Sequence, residues 1–442
     1  MNNRSKAESR PERGLPSRRT FLKQASAAAV GTGMAADLDL SRSAYAAGSD
    51  EIKLGLVGCG GRGTGAAAQA LTADKGTRLV AMGDVFSDRL NLSFNSLREQ
   101  PEVGQRVDVA STRQFVGFDA YQQVIASGVD LVLLATPPHF RPVHLRAAID
   151  AGKHVFAEKP VAVDPTGVRS VLESTELARK KDVAILSGLN NRYSPRAQEL
   201  VRRVHDGVIG EILALHTARY LGSIWVKPRQ AGMTEMEYQM RNWYYFTWLS
   251  GDFNVEQFVH QLDFMAWLMK DQYPVSCYAT GGRQARTGPE YGHIYDHFSS
   301  VFEYANGVRL FSTTRQQQGC SPVFTSVAVG TKGQASISSR NAGITGAHPW
   351  QAPPQDRAEN SHQLEHDAFF AALRKGRIIN NGEYMAKSSL MAIMERMSAY
   401  TGQTLTWEQV MNSKVDLKPS SYDWNGTPPP AEVAVPGMTK MG

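Results

Sequence analysis

The sequence predicts an α/β domain followed by an α+β domain with a large, open and mostly antiparallel sheet. Apolar runs alternate with helical segments over residues 51–165, which is typical of βα units. From 166 to 415 most apolar runs instead have the two-residue alternation of antiparallel strands. The 442 residues are 42% hydrophobic and 20% charged, which excludes a disordered, collagen-like or coiled-coil chain.

Residues 1–46 have the pattern of an export signal. Arg18 and Arg19 precede a weakly apolar run at 25–36, and Ala44-Tyr45-Ala46 is a small-x-small cleavage site. This order is typical of twin-arginine signals. We expect recognition by the twin-arginine export machinery, cleavage near Ala46-Ala47, and a periplasmic or otherwise exported protein. The alternative is a basic disordered tail.

Charge and composition narrow the range of partners. The net charge is +6, but residues 1–46 carry eight bases and four acids, and the remainder has a net charge of +2. The basic character therefore lies in the signal, and we expect no nucleic-acid partner. Three cysteines are too few for a disulfide framework. No apolar stretch reaches 18 residues, so we expect no membrane span.

A glycine motif identifies the first domain. The apolar run 52–57 leads into Gly58-Cys59-Gly60-Gly61-Arg62-Gly63, and a helical segment follows at 66–73. The spacing G-x-G-x-x-G between a strand and a helix predicts a Rossmann dinucleotide-binding domain, because glycine lets backbone N–H groups approach a pyrophosphate. The next strand ends at Asp84, where a carboxylate would bind the ribose 2′-hydroxyl. Asp84 favours NAD, while Arg89 leaves NADP open.

Two more loops follow strands of this domain. The apolar run 129–135 ends at Thr136-Pro137-Pro138-His139, and the run 154–157 ends at Glu158-Lys159-Pro160. Loops at the carboxyl ends of parallel strands form the ligand-binding edge of such a sheet. Both loops are therefore expected at the cofactor or the substrate.

The second domain begins with further elements of both kinds. Helices are predicted at 165–181 and 195–205, with a strand at 183–187 between them, and antiparallel strands at 212–220, 277–281, 297–304, 308–314 and 326–330. One face of this sheet is available for a site or a partner. The Pro-rich residues within 416–442 predict an extended C-terminal arm.

Asp252, Glu256, His260 and Asp263 follow one another at helical spacing. Such a stripe can be a solvated face, a functional site or a metal site, since Glu-x-x-x-His can place two ligands on one side of a helix. Aromatic residues on both flanks argue against full exposure to water. No third ligand has a convincing spacing, so we expect no metal.

These motifs together resemble the Gfo/Idh/MocA oxidoreductases over about residues 51–410. The similarity lies in the glycine motif, Thr136-Pro137, Glu158-Lys159-Pro160, Arg192-Tyr193 and the helix around His260. Gly382-Glu383-Tyr384 and Tyr400-Thr401-Gly402 are similar to the exported, sugar-related branch of this family. The resemblance implies a carbohydrate-like substrate between a Rossmann domain and an α+β domain, and an oligomer formed through the open sheet.

The resemblance also implies the roles of individual residues. Lys159 and His260 correspond to the catalytic pair, and Glu256 stands where the family has Asp, a role that Asp263 could share. His260 would accept the hydroxyl proton and Glu256 would orient His260 or raise its pKa, while Lys159 would stabilise the alkoxide. The expected cofactor-binding residues are Gly58, Gly60, Gly61, Arg62, Gly63, Asp84, Thr136, Pro137, His139, Glu158 and Lys159. The expected substrate contacts are Asn190, Arg192, Tyr193 and Asp263.

Three function classes remain open. The favoured one is an NAD(P)-dependent oxidoreductase that transfers hydride between a sugar CH–OH and a tightly bound nicotinamide. The alternatives are a redox-neutral glycosidase or lyase that oxidises the sugar transiently, and a non-catalytic sugar-binding descendant. Because twin-arginine export carries folded proteins, the cofactor is expected to be loaded before export and retained. A homo-oligomer is expected.

Overall fold

The computed structural model describes residues 51–354 and 360–440. The predicted export signal lies outside these residues. None of the described helices has the length and apolar character needed to cross a membrane.

Six parallel strands form the first sheet, in the order β3-β2-β1-β4-β5-β6. Their bounds are β1 Ile52–Val57, β2 Thr77–Asp84, β3 Gln114–Val116, β4 Leu131–Leu134, β5 His154–Ala157 and β6 Ile185–Ser187. The connecting helices are α1 Gly61–Ala73, α2 Ser87–Arg98, α3 Ala120–Ala126, α4 Arg141–Asp150 and α5 Pro165–Lys180. This is the doubly wound arrangement that the βα pattern predicted.

The boundary between the two domains lies later than the sequence analysis placed it. β6 pairs in parallel with β5, from Val155 opposite Ile185 to Ala157 opposite Ser187. The strand predicted at 183–187 therefore completes the first sheet, although the predicted boundary of 165 assigned it to the second domain. The sequence of so short a strand does not indicate which sheet the strand joins.

Nine strands form the second sheet, in the order β14-β13-β12-β11-β7-β10-β9-β8-β15. They are β7 Ile212–Leu221, β8 Ser276–Gly282, β9 His297–Glu303, β10 Arg309–Gln316, β11 Val323–Gly330, β12 Gly333–Ser338, β13 Ala342–Gly346, β14 Trp350–Gln351 and β15 Leu405–Thr406. β7 and β10 are parallel, and the other neighbours are antiparallel. This confirms the mostly antiparallel sheet.

Helices cover one face of the second sheet. Those of the second half are α6 Pro195–His205, α7 Glu235–Arg241, α8 Thr247–Ser250, α9 Val259–Leu268, α10 Ser361–Arg374, α11 Gly382–Thr401 and α12 Trp407–Asn412. α11 is buried along most of its length, and it packs on α9 and β8. The opposite face carries an apolar row, with Tyr278 opposite Val301 and Val301 opposite Phe311. Tyr278 and Phe311 are 42% and 44% exposed.

The described chain after α12 contains no further helix or strand. It is nevertheless bound to the body of the protein. Leu417 N donates to Asp164 Oδ2 at 2.9 Å, Tyr295 Oη donates to the Ala434 carbonyl at 2.9 Å, and Gly437 N donates to the Thr401 carbonyl at 2.9 Å. The C-terminal arm therefore lies along the protein rather than away from it.

Candidate active site

The glycine loop after β1 fits closely against its surroundings on one side and is open on the other. Gly58 has a φ of +95°, and a Cβ there would lie 2.5 Å from Thr136 N. A Cβ at Gly63 would lie 1.8 Å from the Gly58 carbonyl oxygen. Beside Gly60 and Gly61 a Cβ would meet nothing within 4 Å. The loop thus leaves free space at the N-terminus of α1, where a phosphate is favoured by the helix dipole and backbone N–H groups.

A cavity of about 510 Å³ opens at this loop, within the range of small-molecule sites. Its walls include seven of the predicted cofactor-binding residues, namely Gly58, Gly60, Gly61, Arg62, Asp84, Thr136 and Pro137. They also include Phe86, Phe118 and Phe140 from the loops after β2, β3 and β4. Trp225 and Trp243 of the second domain line it as well. The residues present therefore fit a dinucleotide with an aromatic base.

Asp84 lies at the end of β2 in this cavity. Its carboxylate accepts hydrogen bonds from Cys59 N at 2.6 Å and from Phe86 N at 2.9 Å. Burial raises its pKa above the ordinary value, and the two N–H donors oppose that rise. The carboxylate is thus held at the edge where a ribose would lie. Arg89 and two bases from the second domain, Lys227 and Arg241, also line the cavity.

His139 is absent from the lining of this cavity, contrary to the predicted cofactor contact. Its Nε2 lies 2.8 Å from Tyr422 Oη of the C-terminal arm, and its ring packs edge-on to Trp248. His144 of α4 lines the cavity instead, stacked on Tyr121 with ring centroids 4.1 Å apart. Burial lowers the pKa of His139 to about 4 and that of His144 to about 3, so both are neutral at neutral pH.

Glu158 and Lys159 join the cavity to the second domain. Glu158 Oε1 lies 2.6 Å from Arg62 Nε. Lys159 Nζ donates to the main-chain carbonyl of Glu256 at 2.7 Å and lies 3.0 Å from Glu256 Oε1. Neither Glu158 nor Lys159 lines the cavity itself. They stand between the cofactor cavity and the helix that carries His260.

The helix before His260 is irregular. Asn254–Phe258 is a π-helical turn that precedes α9, and such turns are frequent at functional sites. Asp252 comes before it with a φ of 76°, and its carboxylate accepts from Tyr295 N at 2.9 Å. Asp252, Glu256, His260 and Asp263 therefore do not lie along one regular helix, as their spacing had predicted. Asp252 belongs to the buried core beside the second sheet.

His260 is neutral, contrary to the expectation that Glu256 raises its pKa. Burial lowers the pKa of His260 well below its usual value, and the nearby charges of Lys159 and Arg219 lower it further. Its Nδ1 is buried and has no hydrogen-bond partner among the described residues. Glu256 is engaged with Lys159. The longer Glu side chain in place of Asp thus supports the lysine rather than the imidazole.

Arg192 and Asp263, two of the predicted substrate residues, form an ion pair with each other. Arg192 Nη2 lies 2.8 Å from Asp263 Oδ1 and 2.6 Å from Asp271 Oδ1. Its guanidinium stacks 3.9 Å from the Tyr384 ring, and Asp263 also accepts from Ser388 Oγ at 2.8 Å. Only 9% of the Arg192 side chain and 1% of the Asp263 side chain are exposed. The pair joins α9 to the 3₁₀ turn Asn190–Tyr193 as a positioning element.

The other two predicted substrate residues also have partners within the chain. Asn190 Nδ2 donates to Ser361 Oγ at 2.7 Å, and Tyr193 Oη donates to Asn381 Oδ1 at 3.1 Å. Neither contact settles a substrate role, which stays a prediction. Ser361 is the first residue of α10, so the turn is tied to that helix.

α10 brings three residues to the site that sequence reasoning missed. His362 Nδ1 lies 3.4 Å from Glu365 Oε1, and the charges of Lys159 and Glu158 both act on His362. Glu365 and His366 are fully buried. Burial and the nearby Glu158 raise the pKa of Glu365 well above its usual value. Their spacing on one helix was visible in the sequence, but nothing there placed that helix beside Lys159.

Glu158, His362 and Glu365 place potential metal-ligand atoms within 4.8 Å of one another. The Arg62 guanidinium already pairs with Glu158, and Lys159 adds a second positive charge nearby. These positive charges oppose the binding of a divalent ion. The expectation of no metal stays a prediction.

The sheet order, the glycine loop and the cavity define a nucleotide-binding protein of the Rossmann class. Residues 52–189 match the family model described as oxidoreductase family, NAD-binding Rossmann fold, and residues 197–336 match the model of the Gfo/Idh/MocA C-terminal domain. The chain therefore belongs to the Gfo/Idh/MocA family, as the motifs indicated, and carries the NAD-binding domain of that family.

Three known proteins illustrate the similarity. Inositol 2-dehydrogenase 4 of Saccharopolyspora erythraea is 32% identical over 168 residues, which are 38% of this chain and 45% of the relative. A 2,7-anhydro-N-acetylneuraminate hydratase of Escherichia coli is 26% identical over 208 residues, 47% of this chain and 51% of the relative. The matches thus span about half of each of these two relatives. The crystal structure of an aldose-aldose oxidoreductase from Caulobacter crescentus has a TM-score of 0.63 at 18% identity, covering 80% of this chain and 99% of that one.

Proposed function

We propose that this protein is an NAD(P)-dependent oxidoreductase that acts on the CH–OH group of a sugar or sugar derivative. The observation that carries the proposal is the contact between Lys159 and the π-helical turn that precedes His260. Lys159 follows β5 of the NAD-binding domain, while Glu256 and His260 belong to the second domain. A cation and a neutral imidazole from two domains thus lie close enough for the charge of Lys159 to lower the His260 pKa, and Glu158, the neighbour of Lys159, contacts Arg62 of the cavity wall.

His260, Lys159 and Glu256 would have different roles at one hydroxyl group of the substrate. The bound nicotinamide would supply the hydride acceptor. His260 is neutral, so it can take the hydroxyl proton, and the positive charge of Lys159 opposes its lasting protonation and favours release of that proton. The Lys159 ammonium would stabilise the negative charge that develops on the same oxygen. Glu256, through its carboxylate and main-chain carbonyl, would hold the ammonium in place.

A redox-neutral glycosidase or lyase is the second candidate. Such an enzyme needs a further acid or base, since it removes a proton from carbon and protonates a leaving group after the oxidation. His362 and Glu365 form such a pair next to Lys159. A relative named as a hydratase supports this candidate. His362→Ala should abolish release of the leaving group and spare nicotinamide reduction if this candidate is right.

The proposal includes export and cofactor retention. The arginine pair Arg18-Arg19 supports export by the twin-arginine route, which carries folded proteins. A chain that works outside the cytoplasm would carry its nicotinamide with it, tightly bound. Aromatic residues from both domains around the cavity support such retention. The open apolar row on the second sheet supports a homo-oligomer.

The test is a half-reaction with the cofactor that the protein carries. Protein purified without added nucleotide should release about one nicotinamide per chain on denaturation, and a panel of sugars should identify one that produces the 340 nm absorbance once. His260→Ala should keep the nucleotide and reduce the rate by about 10² to 10⁴. His348→Ala, in an exposed turn away from the site, is the matched control. Reduction at the normal rate in His260→Ala rejects the assigned base, and bound nucleotide without any reduction favours a sugar-binding descendant.

A further inference from the structure

The C-terminal arm crosses the outside of the cofactor cavity. After α12 the arm is anchored on the NAD-binding domain, where Thr166 Oγ1 donates to the Val415 carbonyl at 2.8 Å and Leu417 N donates to Asp164. Residues 418–424 then continue toward the loops at the carboxyl edge of the parallel sheet. Two aromatic side chains of this stretch, Tyr422 and Trp424, make the contacts that follow.

Trp424 packs on two of the loops that form the cavity. Its ring centroid lies 5.3 Å from that of Phe86, which follows β2, and 4.8 Å from that of Phe118, which follows β3. Phe86 and Phe118 both line the cavity, whereas Trp424 does not. Trp424 therefore supports the wall from behind.

Tyr422 adds the third loop. Its ring lies 6.0 Å from Phe118 and 5.6 Å from Phe140, which follows β4 and also lines the cavity. Its hydroxyl group is 2.8 Å from Nε2 of His139, the neighbour of Phe140 in the chain. Each of the loops after β2, β3 and β4 is thus in contact with one or both of these rings.

We propose that Tyr422 and Trp424 form an aromatic clamp that holds the three loops together and slows release of the dinucleotide. The proposal rests on the proposed function, because it requires a nucleotide in the cavity. A cofactor leaves such a site when its loops separate, and local opening becomes rarer as apolar contacts tie the loops together. Contacts between aromatic rings stabilise the closed loops by more than the burial of apolar area alone. Tyr422 and Trp424 touch the walls only, so they are positioning residues.

The experiment measures the dissociation of NADH from the purified full chain. NADH is bound, displaced by excess NAD, and followed by its fluorescence in wild type, Trp424→Ala, Trp424→Phe and Tyr422→Phe. Loss of both ring contacts in Trp424→Ala should raise the off-rate about tenfold. Trp424→Phe should give an intermediate rate, because a smaller ring remains. Met438→Ala is the control, since this side chain of the same arm is 77% exposed and outside the clamp.

Hydrogen exchange supplies a readout that does not depend on activity. In Trp424→Ala the amides around Phe86 and Phe118 should exchange faster, while those of the second sheet should not change. If Trp424→Ala does not fold, the proposal is decided by Trp424→Phe and Tyr422→Phe. Wild-type off-rates in both of these variants overturn the clamp. An equal increase in Met438→Ala overturns it too. A wild-type chain that neither carries a nicotinamide nucleotide when purified nor binds NADH or NADPH rejects the proposed function, whereas NADH binding with unchanged off-rates rejects the clamp alone.

Discussion

The Lys159 ammonium lies 3.0 Å from Glu256 Oε1 and 2.7 Å from the main-chain carbonyl oxygen of the same residue. Both side chains are largely buried, with 14% and 13% exposed. The pair joins the end of β5 to the π-helical turn before His260. Glu256 therefore both balances the positive charge of Lys159 and orients its ammonium group.

This pair predicts a graded response to substitution at position 256. Glu256→Gln removes the charge but keeps the main-chain bond, and the half-reaction should slow by about 10- to 150-fold, because a charge-assisted hydrogen bond contributes about 1.5–3 kcal/mol. Glu256→Asp should keep more activity, since it retains the carboxylate. Single-turnover reduction at 340 nm measures both. Equal rates in wild type and Glu256→Gln would show that the carboxylate has no part in orienting Lys159.

The neutral state of His260 predicts the acid limb of the pH profile. A general base works when it is deprotonated, so activity falls as the pH drops through its pKa. Because burial and the charge of Lys159 lower that pKa, kcat/KM should stay level below about pH 6.5, the value of an ordinary histidine, before it declines. The measurement is kcat/KM between about pH 4.5 and pH 8. An acid limb at or above the ordinary histidine value contradicts the assignment.

Asp84 should control the choice of dinucleotide. Asp84→Ala removes a charged ribose contact and should weaken NAD binding by about 1.5–3 kcal/mol, with less discrimination against NADP. Titration calorimetry with both nucleotides measures this. Asp108→Ala is the control, because that carboxylate has 71% of its side chain exposed. A wild-type preference for NADP would mean that Arg89, Lys227 or Arg241 dominates the site.

The apolar row on the second sheet predicts an oligomer that a single charge disrupts. Phe311→Asp places a carboxylate in the row beside Val301, and burying it between two copies would be costly. Light scattering after size exclusion should show a smaller species than wild type. Leu92→Asp on α2, where the native side chain is 67% exposed, should leave the mass unchanged. Identical masses for wild type and Phe311→Asp would place the interface elsewhere.

The export signal predicts the location of the protein in the cell. The double variant Arg18→Lys and Arg19→Lys keeps the charge but removes the arginine pair, so the protein should stay in the cytoplasm. Fractionation followed by immunoblotting measures the distribution. The variant Arg10→Lys and Arg13→Lys, outside the motif, should be exported normally. Normal export of the first double variant would exclude the twin-arginine route.

Local patterns predicted most of the first domain. The strand, the glycine loop and Asp84 follow one another within 33 positions of the sequence, and their roles depend on neighbours in the chain. The second sheet was predicted in outline, but strands β12 to β15 were missed. Gly333–Ser338 and Ala342–Gly346 are short and rich in glycine or serine, so they lack the apolar alternation that identifies a strand.

Distant contacts could not be predicted. Arg192 and Asp263 are 71 positions apart, and only the fold shows that each satisfies the charge of the other. Likewise His139 and His144 follow the same strand, and the sequence does not reveal which of them faces the cavity. The residues of α10 remained hidden for the same reason, since their importance depends on the proximity of Lys159.

The contact between His139 and Tyr422 can form only late in the synthesis of the chain. The two residues are 283 positions apart, and Tyr422 is the later of the two in the chain. Ribosomes make the N-terminal part first, and domains fold in that order. The NAD-binding sheet therefore forms before the arm that backs its loops has been translated. A chain cut short before residue 422 would have the glycine loop but lack this support, and we expect it to release a bound nucleotide faster than the full chain does.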